Sequence, residues 1–112
     1  MTNNSINLTV LNELKEIMGD DFSELVNVFI ADGKNQLDIL NTAIALSNAQ
    51  DIRRIAHTIK GSSANLGINK LSQMCKELEV NAADNNLSRA NELFNAISNE
   101  YNEVKVLLEE LL

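Results

Sequence analysis

The sequence predicts an all-α fold: an antiparallel up-down four-helix bundle with an additional short N-terminal helix across one end. Three observations carry this expectation. The 112 residues include no proline and only four glycines, too little turn punctuation for an all-β chain. Apolar residues recur at the roughly 3.6-residue spacing of amphipathic helices through five segments. The connections between the last four segments span only a few residues, which forces consecutive helices to be antiparallel neighbours.

The first segment runs from Leu8 to Met18 and is closed by Gly19, the residue type favoured just past a helix end. The second opens on Asp21-Phe22-Ser23-Glu24, a capping-box pattern, and carries Phe22, Leu25, Val26, Phe29, Leu37, Leu40 and Ile44 along one face. Asn48 or a neighbour caps the third, which runs to Leu66 and stops at Gly67. Asn69 starts the fourth, with Leu71, Met74, Cys75, Leu78 and Ala82 in one stripe. The fifth begins near Asn86 and has the cleanest stripe, Ala90, Leu93, Phe94, Ile97, Tyr101, Val104, Leu108 and Leu111. Thr2 to Ser5 are polar and expected to fray.

A chain of this length with no linker, repeat or low-complexity tract reads as a single domain over residues 1–112. Its net charge of −7 disfavours nucleic acid and acidic membrane surfaces as partners, since both are bound through Lys and Arg. No run of about 18 apolar residues is present, and the start shows no leader pattern, so a cytoplasmic, free-standing monomer is expected. The single cysteine cannot form an internal disulfide or, with one histidine, a zinc site unless several carboxylates join; Cys75 reads as a buried apolar residue.

Gly33 and Gly61 fall inside helices, where each costs about 1 kcal/mol relative to alanine. Close helix packing accounts for Gly33, which lies on or near the core stripe. Gly61 belongs to "AHTIKGSSANLG", with the only histidine, His57. On a helical wheel Ile52, Ile55, Ala56, Ile59, Ser63 and Leu66 form the core stripe, and His57 points roughly 150° away from its centre. Arg53 and Arg54 lie one turn behind it, Lys60 and Gly61 one turn ahead, and Ala64 two turns ahead. Residues 51–76 hold five basic side chains and one acid, while the rest of the chain holds four basic and fifteen acidic. A solvated charged face would explain the cations, but not their segregation or the small residues among them. A neutral imidazole is a nucleophile near neutral pH, and a phosphoryl group placed on it would be stabilised by nearby cations.

On these residues the chain resembles the histidine-containing phosphotransfer (HPt) domains. Their His-x-x-Lys-Gly signature with a second glycine further on is met by His57, Lys60, Gly61 and Gly67, followed by "LSQMCKELE" on the next helix. The resemblance implies a phosphorelay intermediate of two-component signalling that neither makes nor breaks ATP. His57 would accept a phosphoryl group from the phospho-aspartate of one receiver domain, such as that of a hybrid sensor kinase, and pass it to the aspartate of another. Lys60 would contact the phosphoryl oxygens, Gly61 would clear the way for the receiver, and Glu79 would hold the other imidazole nitrogen where many relatives carry glutamine. A solvated flank position is the alternative for Glu79. No cofactor is implied for this chain, with Mg2+ expected on the receiver only.

The resemblance also implies receiver docking beside the histidine, on a patch drawn from the first helix and its neighbours. If Leu8, Leu11 and Met18 pack inward, Val10, Leu14 and Ile17 are left for docking, joined by Phe22, Arg53, Arg54, Ser62 and Ala64. An end-capping helix that buries both its faces explains the first-helix residues equally well. Two other functions compete. A helical adaptor without chemistry would not need His57, Lys60 and Gly61 together. A nucleotide enzyme would need a GxxxxGK[ST] loop, and "GSSANLG" lacks the lysine.

Overall fold

Apolar side chains at helical spacing can leave water only by facing one another, and in this chain they do so within one bundle. The computed structural model describes residues 5–112. Five helices follow in order, α1 (Leu8–Met18), α2 (Asp21–Ala45), α3 (Ala49–Asn65), α4 (Asn69–Ala83) and α5 (Ala90–Glu110), and no strand occurs among the described residues. Helices α2 to α5 form the expected up-down bundle. The interior is built from Val26, Leu40, Ile52, Ile55, Leu71, Cys75, Leu78, Ile97, Val104 and Leu108, all fully removed from water.

The reversals between these helices share one device. At the ends of α2, α3 and α4 a residue with positive φ, Ser47 (51°), Gly67 (71°) and Asn85 (58°), turns the chain. Its N–H and the next one bond back to the last helical turn: Ser47 to Ile44 and Asn48 to Ala43, Gly67 to Ala64 and Ile68 to Ser63, Asn85 to Ala82 and Asn86 to Asn81. These paired bonds satisfy carbonyls that the helix end would otherwise leave open. Only Gly67 announces itself in the sequence, because serine and asparagine adopt this conformation less often.

Helix α1 lies across the end of the bundle that holds the α3–α4 turn and the C-terminus of α5. Asn7 donates its N–H to the Gly67 carbonyl at 2.8 Å, and Lys15 Nζ donates to the Leu111 carbonyl at 2.9 Å. Leu11 is fully buried beneath it. Val10 packs so closely on Gly67 that a Cβ there would sit 3.1 Å from the valine Cβ, a second reason for glycine at that position.

Several expectations need correction. The capping box at Asp21 does not form: the chain enters α2 directly from the Gly19 turn, Asp20 occupies the N-cap with helical φ and ψ, and its side chain caps nothing. Helix α5 begins at Ala90 rather than near Asn86. The Asn86 N–H is used to close α4, and its Oδ1 accepts the Ser88 N–H and hydroxyl, which holds 86–88 in a turn. Ser5 is buried rather than frayed; Thr2 to Asn4 lie outside the described residues. Leu8 does not pack inward and is half exposed. The predicted Asn48 cap is present, its Oδ1 accepting the Asp51 N–H at 3.1 Å. At Gly33, a Cβ would fall 2.6 Å from Tyr101 Cε2, so this glycine serves the close approach of α2 and α5, which is fastened by the Tyr101 hydroxyl donating to the Ile30 carbonyl.

Candidate functional site

The α3–α4 turn sets the site. Because α3 and α4 run back antiparallel from it, residues at equal distances before and after Ile68 meet side by side, and His57 and Glu79 are such a pair. The carbonyl of Lys60 accepts a hydrogen bond from the Ser72 hydroxyl at 3.0 Å, which ties the two helices together beside them. His57 faces outward as the wheel requires, its side chain 66% exposed.

His57 Nδ1 lies 2.8 Å from Glu79 Oε2. An ionised carboxylate can only accept, so Nδ1 carries a proton and donates it, and in the neutral imidazole Nε2 is the nitrogen that keeps the lone pair. The other carboxylate oxygen, Oε1, lies 2.7 Å from Lys60 Nζ. Glu79 is therefore no solvated flank residue: its side chain is only 16% exposed and each oxygen meets a nitrogen of α3. The Lys60 hydrogen bond, then the His57 hydrogen bond, hold this carboxyl below its ordinary value, against burial, which acts the other way. Cys75, one turn earlier on α4, is pushed up to about 12 by burial and then by the Glu79 charge, so its thiol stays protonated and unreactive.

Gly61 sits beside the imidazole, and a Cβ built on it would meet nothing within 4 Å. Among the described residues no packing demands glycine there, in contrast to Gly33 and Gly67. Ser62 and Ala64 extend the exposed small-residue surface, Ser62 Oγ donating to the Ile59 carbonyl. Arg53 and Arg54 are exposed behind the histidine, and Arg54 lies 3.6 Å from Asp51. The arrangement amounts to an oriented imidazole with a free nitrogen, a neighbouring ammonium, further cations and an unobstructed approach.

The first-helix residues divide. Ile17 is 80% exposed and free to meet a partner, while Val10 and Leu14 are only partly exposed and rest on the bundle. Phe22, named above for docking, is 2% exposed and belongs to the core, because it lies on the buried face of α2 with Val26 and Phe29. Two features escaped the sequence reading. Lys60 is bound to Glu79, a contact between helices that spacing along one helix cannot reveal. Leu25, Val28 and Asp32 of α2 meet Thr58, Ser62 and Asn65 of α3 around a cavity of about 330 Å³ beside the histidine face. The half-exposed Val28, apolar on the polar side of α2, was the available signal.

Among the described residues no helix is long and apolar enough to cross a membrane. A family profile for the Hpt domain matches residues 24–111. The sensor protein TorS of Escherichia coli (strain K12) is 33% identical over 76 residues, which cover 67% of this chain and 8% of TorS, so the chain spans a small part of that relative's length. The crystal structure of histidine-containing phosphotransfer protein B (HptB) from Pseudomonas aeruginosa PAO1 matches with a TM-score of 0.94 and 33% identity, over 97% of this chain and 95% of that one. With its oriented histidine, the match over most of its length and the shared fold, the chain belongs to the Hpt domain family.

Proposed function

We propose that His57 Nε2 carries the phosphoryl group in a relay between receiver domains. Hpt domains are phosphorelay intermediates of two-component signalling, and receiver domains are their partners. The observation that carries the assignment to His57 is its hydrogen bond from Nδ1 to Glu79, which in the neutral imidazole makes Nε2 of this exposed side chain the nitrogen that keeps the lone pair.

In the forward step the Nε2 lone pair attacks phosphorus of the receiver's acyl phosphate. The N–P bond forms as the P–O bond to the aspartate breaks, and the leaving carboxylate takes the electron pair. Nδ1 keeps its proton, so the ring becomes a phosphoimidazolium whose positive charge faces the Glu79 carboxylate. Attack by the aspartate of a second receiver reverses these bond changes. Positioning and charge stabilisation supply most of the catalysis in phosphoryl transfer, so this chain contributes orientation and cations, and the receiver supplies Mg2+. The likeness to a segment of the sensor protein TorS supports a sensor protein as the source of the phosphoryl group.

Incubation with a phosphorylated receiver tests the assignment. Label that is acid-labile, alkali-stable and absent from His57→Gln is expected. Failure of the wild-type protein to take label from a broad panel of receivers would leave a non-transferring helical adaptor as the function.

A further inference from the structure

Two donors share one largely buried carboxylate: Glu79 Oε2 receives His57 Nδ1–H at 2.8 Å and Oε1 faces Lys60 Nζ at 2.7 Å. The geometry points to a hand-over, in which Lys60 rests on Glu79 in the unphosphorylated protein and passes to the phosphoryl oxygens once His57 is modified. This rests on the phosphoryl-carrier reading above and adds a moving part to it.

The ammonium is separated from the imidazole only by the width of the carboxylate they share, and it follows His57 by one helical turn on the same face. Its four-carbon stem allows the charge to move without displacing the helix. In the resting state the move is opposed, because it would leave a carboxylate of 16% side-chain exposure with one oxygen bare. Phosphorylation removes that obstacle. When Nε2 takes the phosphoryl group the ring becomes cationic, so Oε2 gains a charged partner as Oε1 loses one. The phosphoryl group meanwhile offers two negative charges in place of the one the lysine leaves. The two ion pairs exchange without stranding a buried charge. The charged and titratable groups around the carboxylate are His57 and Lys60 of α3 and Cys75 of its own helix, and the thiol is neutral. Glu79 is thus a positioning residue with two states, and Lys60 is the ligand it releases.

Phosphoramidate provides the test, since neutral Nε2 can displace ammonia from it and form the N–P bond without a receiver. The pH titrations of the 31P signal of phospho-His57 and of the 13C-labelled Glu79 carboxyl are followed in wild type and in Lys60→Met, before and after phosphorylation. Hand-over predicts that the phosphoryl ionisation has a lower midpoint in wild type than in Lys60→Met. It also predicts that phosphorylation moves the Glu79 midpoint upward in wild type relative to its movement in Lys60→Met, because the ring and phosphoryl charges arrive in both proteins and only wild type gives up the lysine. Equal 31P midpoints, with no such upward Glu79 difference in wild type, would overturn it and leave the carrier reading intact. If Lys60→Met does not fold, the 15N resonance of the Lys60 ammonium in wild type decides: it shifts on phosphorylation if the lysine moves and stays in place if it does not. No phosphohistidine signal from either phosphoramidate or a phosphorylated receiver would sink both readings together.

Discussion

Replacing Gly61 or Gly33 by alanine makes the same chemical change in a helix interior, yet opposite effects on stability are expected. Each substitution recovers about 1 kcal/mol of helix propensity. At Gly61 the new Cβ meets nothing within 4 Å, so the gain is kept whole, and Gly61→Ala should raise Tm by about 4 °C for a domain of this size. At Gly33 the Cβ would lie 2.6 Å from Tyr101 Cε2. The ring cannot swing aside, because it is buried and its hydroxyl is bound to the Ile30 carbonyl. Overpacking of this kind costs about 1–3 kcal/mol, which outweighs the gain, so Gly33→Ala should lose about 1 kcal/mol net. Urea unfolding of the three proteins measures both differences. Function separates them further. If the space above Gly61 is kept clear for a receiver, Gly61→Gln should fold with at least wild-type stability and slow transfer by about tenfold or more, equivalent to about 1.4 kcal/mol. A destabilised Gly61→Ala would refute the structural part of this reasoning. A Gly61→Gln protein that accepts phosphoryl groups at the wild-type rate would refute the functional part.

The Glu79 carboxyl is held below its ordinary value by Lys60 and then His57, so the stability it contributes is present above the ordinary carboxyl range and is lost as pH falls through its folded value. Wild type should therefore lose more stability than Glu79→Gln between pH 7 and pH 3, by urea unfolding at both pH values; equal losses would mean the contacts do not stabilise the ionised form. Ile17→Ser should leave urea stability unchanged, because the side chain is 80% exposed, and weaken receiver binding by calorimetry, whereas Phe22→Ala should cost about 3 kcal/mol. Cys75, fully buried with its thiol pushed up to about 12, should react with a thiol reagent only after denaturant is added; rapid labelling of native protein would contradict its placement.

Much of the fold was legible because helix faces are written into one dimension. The stripes through Ile52, Ile55 and Ile59 and through Leu93, Ile97, Val104 and Leu108 need only a regular spacing to be recognised, and all are buried. What went wrong lay at ends, where the deciding bonds are local but not periodic. Asn86 reads equally as a helix cap and as the turn residue it is, and the choice falls to Asn81, whose carbonyl claims its N–H. Asp21 and Glu24 have a capping pattern, yet Gly19 delivers the chain to α2 already helical. Leu8 lies at the surface rather than in the core, since a short helix crossing a bundle end has its buried side set by the angle of crossing, whereas Phe22 follows the apolar face of α2 into the core and is lost to docking.

The same division holds at the site. His57, its outward direction, the glycine beside it and the basic surroundings all lie within one helix, where residue spacing alone determines relative position. That was enough to single out the side chain proposed above as the phosphoryl acceptor. Its tautomer was not decided there, because the group that fixes it arrives from α4 through the turn at Gly67, at a distance of 22 residues. Nor was the resting place of Lys60, which spacing assigns to the histidine's face and the tertiary structure assigns to Glu79. Sequence determined which side chains share a surface; only the packing of α3 against α4 decided which oxygen each nitrogen meets, because hydrogen bonds between helices depend on their register and separation.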